Sequence, residues 1–368
     1  MFNLLKYRDM KYEKEFPIFK TKVPGVEKKF NLADVSERKE YFEQKAGEEI
    51  AKLKKYFDEG RTFIVYLLGK KNAGKGTYTK LMMEVFGKDK IGHISVGDVV
   101  RDVHECMENE NEKKELLEYL KNNYRGYISP EDGVNALLSR DQKTLLPNEF
   151  IMALVKREID KMGKRALFLD GFPRNLDQVS YSIFFKELID YRQDPDIFAA
   201  IDIPEAVIDE RMKYRVICPI CHTPRNLKLF ATEKVGYDEE KKEFYLICDN
   251  PDCNGARMSA KEGDNMGIES IRERLEMDEK LIKKVFSLHG VPKIFLRNAI
   301  PVSVAKDYAD DYEITPEYYY EYDDDTKTVK TLKRPFVVKD DEGIEVYSLL
   351  APPVGLALIK QLVKTLGL

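Results

Sequence analysis

The alternation of apolar and polar stretches along the chain predicts short buried strands, each leading into a turn and then a helix. Residues 62–68 form an apolar run of strand length, rich in β-branched and aromatic side chains, and residues 78–86 are typical of the helix that follows it. Residues 166–170 and 198–203 have the same apolar character and predict two further buried strands. This pattern favours an α/β fold.

An amphipathic helix is predicted ahead of the first strand, over residues 34–57. Asp34 is a candidate N-cap with Glu37 three residues later, as in a capping box. An apolar stripe at helical spacing is formed by Phe42, Ala46, Ile50, Leu53 and Phe57. Packing of this stripe on the protein core is the simpler interpretation, and a helix that binds a partner is the alternative.

The composition limits the class of protein. With 368 residues and 43% hydrophobic side chains, the chain is long enough for two or three domains or for one core with insertions. A net charge of −4 gives no general attraction to nucleic acid or to an anionic membrane, and no apolar run approaches the length of a membrane-spanning helix. The first residues also lack the apolar core of a signal peptide. We expect a cytoplasmic monomer with neither nucleic-acid nor membrane partners.

The glycine-rich segment after the first strand is a candidate phosphate-binding loop. Glycine lets the backbone approach an oxyanion, and the N-terminus of the following helix presents unpaired N–H groups and the positive end of its dipole. Lys75 is placed to reach the terminal phosphates of a nucleotide. A glycine turn without a ligand is the alternative interpretation. The candidate ATP-binding residues of this loop are Gly69, Asn72, Ala73, Gly74, Lys75, Gly76 and Thr77.

The spacing G-x-x-x-x-G-K-G-T of this loop is the variant used by nucleoside monophosphate kinases, and two further segments resemble the adenylate kinase family. Residues 93–101 resemble the family pattern H-I-S-T-G-D-x-x-R, with Val96 in place of the usual Thr. Residues 170–174 have the sequence D-G-F-P-R, which is close to a signature of these kinases. The resemblance is good over residues 61–101, 143–216 and 268–276 and loose over the final helix.

The resemblance implies a P-loop NTPase-type three-layer sandwich with a parallel sheet, an acceptor-nucleotide-binding insertion and a zinc-binding lid insertion. The implied division of the chain is 1–60 for an N-terminal arm and helix, 61–100 for core with the P-loop, 101–147 for the acceptor segment, 148–213 for core, 214–264 for the lid, and 265–368 for core with an acidic, Tyr-rich insertion at 307–325. We interpret residues 307–325, which contain no Lys or Arg, as a solvated insertion.

The resemblance also implies the catalytic residues. Lys75, Arg211, Arg215 and Arg274 would surround the transferred phosphoryl group, and Asp170, at the end of a buried strand, would hold Mg²⁺ through water. Arg211 and Arg215 are predicted on one face of a helix, at positions i and i+4.

Two positions on the ATP side are less well defined. Pro352, in the turn before the final helix, is implied for binding of the donor adenine. One further lid arginine of the family has no clear equivalent, and Arg257 and Lys261 are the candidates, with Arg257 favoured for its guanidinium.

The residues implied for AMP binding are Ser95, Val96, Arg101, Leu146, Gly171, Arg174, Gln178 and Arg274. Arg101 and Arg174 would bind the acceptor phosphate, for which a planar guanidinium is well suited. Gln178 stands where adenylate kinases carry the amide that recognises adenine, whereas pyrimidine-specific relatives usually have Asn.

Four of the five cysteines form two close pairs, and Cys106 stands alone. The pairs are Cys218 with Cys221 and Cys248 with Cys253. Paired cysteines in a cytosolic chain favour a metal site over disulfides. Some bacterial adenylate kinases carry a four-ligand zinc site in the lid, so the resemblance implies a structural Zn²⁺ here, although the C-x4-C spacing of the second pair departs from the family pattern. Four reduced thiols without metal are the alternative.

The implied reaction is Mg·ATP plus AMP giving two ADP. A kinase for UMP or CMP is one alternative, because Val96 removes a hydroxyl from the base pocket, although Gln178 argues against it. A nucleotide-binding regulatory protein with a zinc module is the other alternative. The many arginines implied for phosphate binding argue against it, because a protein that only binds has no need to neutralise charge in a transition state.

Overall fold

A five-stranded parallel sheet lies at the centre of the molecule, and its strands are, in spatial order, Lys293–Arg297, Asp196–Asp202, Ile64–Gly69, Ala166–Asp170 and Ile91–Ser95. The structure is a computed structural model and describes residues 16–139, 147–172, 194–261 and 263–368. Its strands are β1 (Ile64–Gly69), β2 (Ile91–Ser95), β3 (Ala166–Asp170), β4 (Asp196–Asp202), β5 (Arg215–Ile217), β6 (Pro224–Asn226), β7 (Val235–Asp238), β8 (Glu243–Leu246), β9 (Ser259–Ala260), β10 (Lys293–Arg297), β11 (Ala299–Pro301), β12 (Pro316–Asp323), β13 (Thr328–Pro335), β14 (Val337–Lys339) and β15 (Glu345–Ser348).

The α-helices of the described residues surround this sheet and form its insertions. They are α1 (Val35–Asp58), α2 (Lys75–Phe86), α3 (Val96–Cys106), α4 (Glu110–Asn123), α5 (Pro130–Leu138), α6 (Asn148–Met162), α7 (Glu205–Lys213), α8 (Arg272–Phe286), α9 (Val302–Tyr308) and α10 (Ala351–Leu366). Within the described ranges, none of these helices combines the length and the apolar character needed to cross a membrane.

The two faces of β1 show how the layers form. Ile64, Tyr66 and Leu68 pack in one cluster with α3, α6 and the second half of α8, while Val65 and Leu67 pack in the other with α1, α2 and α10. Successive strand residues point to opposite faces, so a strand that is apolar throughout is covered on both sides. The predicted three-layer α/β sandwich is confirmed.

The amphipathic N-terminal helix is also confirmed as part of the core. Asp34 caps α1, since its Oδ1 accepts the N–H of Glu37 at 2.9 Å. The carboxylate of Glu37 accepts the N–H of Asn31 at 2.7 Å, so the reciprocal half of the predicted capping box goes to a different residue. Every residue of the predicted stripe is buried, and the helix packs against α2 and α10.

The described part of the acceptor segment is mainly helical and shares the core of the protein. Its helices α4 and α5 and most of α3 bury apolar side chains in the same cluster as one face of the central sheet. These side chains are Val103, Cys106, Leu116, Leu120, Tyr124, Val134 and Leu137.

The lid is a small β structure with a separate core. A three-stranded sheet, β6-β5-β9, and a β7-β8 hairpin make up most of it. The buried cluster at its centre consists of Cys218, Leu246, Cys248, Cys253 and Met258. Three of these five residues are cysteines, so the lid cluster contains few fully buried aliphatic side chains.

The second part of the Tyr-rich insertion, from residue 316 on, forms a hairpin with the residues that follow it and packs on the lid, so the interpretation of the insertion as a solvated segment is wrong. β12 pairs with β13 in antiparallel register, and alternate tyrosines of β12 face the lid. Tyr322 stacks on Tyr237 of β7 with ring centroids 4.2 Å apart, and the Tyr320 ring lies 5.4 Å from that of Phe244 on β8. Tyr319, on the other face of β12, is 43% exposed.

Candidate active site

The P-loop, residues 69–77, turns sharply between β1 and α2. Gly74 has a φ of +92° and precedes the first residue of α2, in a left-handed conformation that favours glycine. A Cβ on Gly69 would lie 3.2 Å from the carbonyl oxygen of Ile201, so β4 packs closely against the loop. Because α2 begins at Lys75, its first N–H groups lie at the loop, as an anion site requires.

Lys75 lies beside the carboxylate of a neighbouring strand. Its Nζ donates to the Gly69 carbonyl at 3.0 Å and lies 3.8 Å from Asp170 Oδ1. β1 and β3 are adjacent and parallel, with Leu67 opposite Asp170, so both groups stand at the same edge of the sheet. The structure therefore brings the P-loop lysine and the predicted Mg²⁺ ligand together.

Arg211 connects the last turn of α7 to the P-loop. Its Nη1 donates to the Asn72 carbonyl at 3.3 Å and its Nη2 to Asn298 Oδ1 at 3.4 Å, and burial lowers the pKa of Arg211. Asn298 follows β10 directly, and its Nδ2 donates to the Leu349 carbonyl at 3.0 Å. Sequence reasoning missed Asn298, although a polar residue at the carboxyl end of an apolar strand is a signal for a site. Pro352 lies buried in the first turn of α10, three residues beyond Leu349.

Arg215 does not lie on α7, so the prediction of two arginines on one helix face is wrong. The helix ends at Lys213, and Arg215 is the first residue of β5, because pairing with β6 and β9 leads the chain into the lid. Arg215 forms a two-pronged ion pair with Asp264, from Nε to Oδ2 at 2.5 Å and from Nη2 to Oδ1 at 2.8 Å. This arginine therefore joins the two ends of the lid.

Arg274 is held next to the P-loop by a residue that the sequence reasoning missed. Its Nη2 lies 2.9 Å from Asp278 Oδ1, and Asp278 Oδ2 accepts the backbone N–H of Lys71 at 2.9 Å. Burial raises the pKa of Asp278, against the opposite influence of Arg274 and Lys75. The i, i+4 spacing of Arg274 and Asp278 on a helix was the available signal.

The described part of the acceptor side lies at the ends of β2 and β3. Ser95 is opposite Asp170 in the register of these strands, and Val96 is the buried first residue of α3. Gly171 follows Asp170 with a φ of +79°. Arg101 is largely exposed and pairs with Asp98. The predicted AMP-binding residues Leu146, Arg174 and Gln178 lie outside the described residues.

The two candidates for the further lid arginine have different surroundings. Arg257 donates from Nη1 to Asp238 Oδ2 at 2.7 Å and stacks on the ring of Tyr245, both within the lid. Lys261 follows β9, and its backbone N–H lies 3.5 Å from the Arg215 carbonyl. Lys261 thus contacts the backbone of a predicted catalytic arginine, and the choice between the two candidates stays a prediction.

The four lid cysteines converge on one point and could hold a metal ion. Their Sγ atoms all lie within 4.8 Å of one another, and those of Cys221 and Cys248 are 3.7 Å apart. Zn–S bonds of about 2.3 Å in a tetrahedron place sulfurs about 3.8 Å apart, so the donor set fits the size and the chemistry of a Zn²⁺ site. Cys106 lies in α3, within the acceptor segment.

The thiols of this cluster differ in acidity. Hydrogen bonding with Thr223 lowers the pKa of Cys221 to about 6, whereas burial raises the pKa of Cys253 to about 12. Metal binding needs thiolates, and the positive charge of a divalent cation favours them. The cluster is therefore chemically suited to a cation at its centre.

Comparison with known proteins identifies relatives by overall sequence similarity. No family profile matches the chain. An adenylate kinase of Thermotoga petrophila is 33% identical over 167 residues, which are 45% of this chain and 63% of the relative. The chain thus spans slightly less than two thirds of the length of that relative.

Two other relatives are covered over more of their length. An adenylate kinase of Caldicellulosiruptor saccharolyticus is 32% identical over 213 residues, which are 57% of this chain and 79% of the relative. An adenylate kinase of Clostridium tetani is 30% identical over 236 residues, which are 63% of this chain and 88% of the relative.

Proposed function

Because this chain belongs to the adenylate kinase family, we propose that it transfers the γ-phosphoryl group of Mg·ATP reversibly to AMP, giving two ADP. The observation that carries the proposal is the arrangement of charge around the P-loop. Lys75 lies 3.8 Å from Asp170, Arg211 donates to the loop carbonyl of Asn72, and Arg274 is linked to the loop through Asp278.

This arrangement suits a reaction that needs no general base. The nucleophile is a phosphate oxygen that is already ionised at neutral pH, so catalysis consists of positioning and charge neutralisation. In the proposal, Lys75 binds the terminal phosphates, and Arg211, Arg215 and Arg274 neutralise the charge of the transferred group. The lid excludes water, which prevents hydrolysis of ATP.

Two metals belong to the proposal. Mg²⁺ would be supplied with ATP and would neutralise charge on its phosphates, and Asp170 is the residue that would hold it through water. Zn²⁺ would be held by Cys218, Cys221, Cys248 and Cys253, with no open coordination position, so its role would be structural. We also propose that the protein acts in the cytoplasm as a monomer.

The acceptor specificity rests on a few side chains. We assign the acceptor phosphate to Arg101 and Arg174 and the adenine to Gln178, whose amide offers one donor side and one acceptor side. UMP or CMP is the second candidate acceptor. Val96 favours it, because this buried residue supplies no hydroxyl to the pocket.

An ADP-formation assay with AMP, UMP, CMP and GMP as acceptors tests the proposal. We expect AMP to be the best acceptor, and we expect Lys75→Met to abolish transfer while the protein stays folded, because Lys75 lies at the loop rather than in the apolar core. Lys80→Met, which replaces an exposed lysine of the same helix, is the control and should retain activity. A pyrimidine monophosphate as the best acceptor, or normal turnover by Lys75→Met, would contradict the assignment.

A further inference from the structure

A carboxylate on the buried face of α8 is the unusual feature of this helix. Leu275, Asp278, Leu281, Ile282 and Val285 are all buried and recur at helical spacing, so Asp278 occupies a position that an apolar residue would fill on packing grounds alone. A buried carboxylate is costly unless its oxygens are hydrogen-bonded or paired with a cation. Its retention on this stripe therefore calls for a role beyond packing.

Both oxygens of Asp278 have a partner, and the two partners belong to different parts of the site. Oδ2 accepts the N–H of Lys71 in the P-loop at 2.9 Å. Oδ1 pairs with Arg274 Nη2 at 2.9 Å, one turn earlier on α8. The Asp278 side chain is 5% exposed and that of Arg274 is 41% exposed, so the carboxylate is fixed inside while the guanidinium stays accessible to solvent.

We propose that Asp278 is a positioning residue that couples the P-loop to Arg274, so that the donor phosphates and this arginine are held in a fixed relation during phosphoryl transfer. The proposal rests on the proposed function, because it gives Arg274 a role at the transferred group. A guanidinium attached to a fixed carboxylate through one nitrogen keeps its other N–H groups for phosphate oxygens. Asp278 itself touches the P-loop backbone and Arg274 rather than the reacting atoms.

Substitution of Asp278 by Asn tests this role, because the amide keeps the size of the side chain and an oxygen for the Lys71 N–H but loses the charge that orients Arg274. We expect kcat to fall by about 10- to 100-fold, the range for a misplaced catalytic group, while the dissociation constant for Mg·ATP from calorimetry changes much less. Glu276→Gln, on the exposed face of the same helix, is the matched control and should keep the parent kcat.

A double-variant comparison shows whether Asp278 acts through Arg274. Arg274→Lys loses the planar fork that Asp278 orients, so adding Asp278→Asn to it should lower kcat little further. Three results would overturn the proposal. The first is that Asp278→Asn lowers kcat equally in the parent and in the Arg274→Lys background. The others are an unchanged kcat in Asp278→Asn and a rise in the Mg·ATP dissociation constant as large as the fall in kcat. If Asp278→Asn does not fold, Asp278→Glu replaces it, and it should also lower kcat because a longer side chain displaces the guanidinium.

The outcome separates this proposal from the proposed function. A parent protein that prefers another monophosphate contradicts the AMP assignment, and the Asp278 comparison is then made with that acceptor. A parent that transfers phosphate to no acceptor overturns both proposals. A parent that forms ADP from AMP, with an unaffected Asp278→Asn variant, overturns the coupling alone.

Discussion

The acceptor segment and the lid are both inserted into the same core, but different interactions stabilise them. The acceptor segment buries an apolar face of three helices in the cluster that covers one side of the central sheet. The lid buries only five residues in a cluster of its own, and three of them are cysteines. Burial of apolar surface therefore supports the first insertion, whereas the second has four convergent cysteines and contacts with another segment in place of a large core.

The difference shows how a polar insertion can be ordered without a large core. The lid contains short strands with half-exposed residues, and a zinc ion bound by four thiolates would replace the missing apolar contacts. The β12-β13 hairpin adds aromatic side chains from outside the lid. The acceptor segment needs neither device, because its helices extend the main core.

Loss of the metal should cause the largest loss of structure, and it should affect the lid without affecting the acceptor segment. Elemental analysis of protein purified without added metal should show about one zinc per chain. Removal of zinc by a chelator, or Cys248→Ser, should unfold the lid, since binding contributes about 10–16 kcal/mol in isolated zinc modules. Hydrogen exchange should rise in lid peptides and stay unchanged in peptides of the acceptor segment.

Cys106→Ser is the control for this prediction, because Cys106 lies in α3 and should not bind the metal. It should retain the zinc and the protection of the lid. Protein without bound metal, in which the four lid thiols react freely in the native state, would contradict the zinc site.

A cavity in the acceptor segment should give the next largest loss of stability, and this loss should not involve the lid. Leu120 of α4 is fully buried, so Leu120→Ala should lower the free energy of unfolding by about 2–5 kcal/mol. Urea unfolding followed by circular dichroism measures this loss, and Glu118→Ala, an exposed position on the same helix, is the control. The zinc content should stay at its parent value. Loss of zinc in Leu120→Ala would mean that the two insertions are not independent.

Removal of a hairpin aromatic should have the smallest effect, confined to the lid. Tyr322→Ser removes the stacking on Tyr237 and the hydrogen bond from Tyr322 Oη to Glu239 Oε1 at 2.7 Å. Aromatic pairs contribute about 0.5–1.5 kcal/mol, so we expect a modest rise of hydrogen exchange in β7 and β8. Tyr319→Ser, on the other face of β12, should leave exchange in the lid unchanged. Equal effects of the two substitutions would show that the hairpin does not stabilise the lid.

Local patterns made much of this molecule predictable from sequence. The P-loop lies between a strand and a helix that are adjacent in the chain, and the first strand and Asp34 as the cap of α1 follow from short stretches of residues. The prediction of a four-cysteine cluster needed only the assumption that the pairs Cys218–Cys221 and Cys248–Cys253 meet in the fold.

Long-range contacts were the part that the sequence did not reveal. Lys71 and Asp278 are 207 positions apart, so neither residue signals the other. Tyr318, Tyr320 and Tyr322 lie in a segment whose acidic residues favoured a solvated insertion, because the lid surface that these tyrosines meet is far away in the chain. Arg215 was placed on a helix because its spacing from Arg211 is helical, and strand pairing in the lid overrides that local preference.

Because the hairpin is attached to the core near the lid, its contact with the lid can be weak and still form. The base of the hairpin is fixed to the core, since the Thr315 N–H donates to the Ser348 carbonyl and Phe336 is buried. A surface connected to its partner by a short stretch of chain experiences an effective concentration in the millimolar range. A contact with a dissociation constant of about 1 mM is then formed about half of the time. Tyrosines of modest individual affinity are thus sufficient to keep the hairpin on the lid for about half of the time, and a contact of this strength can separate and re-form.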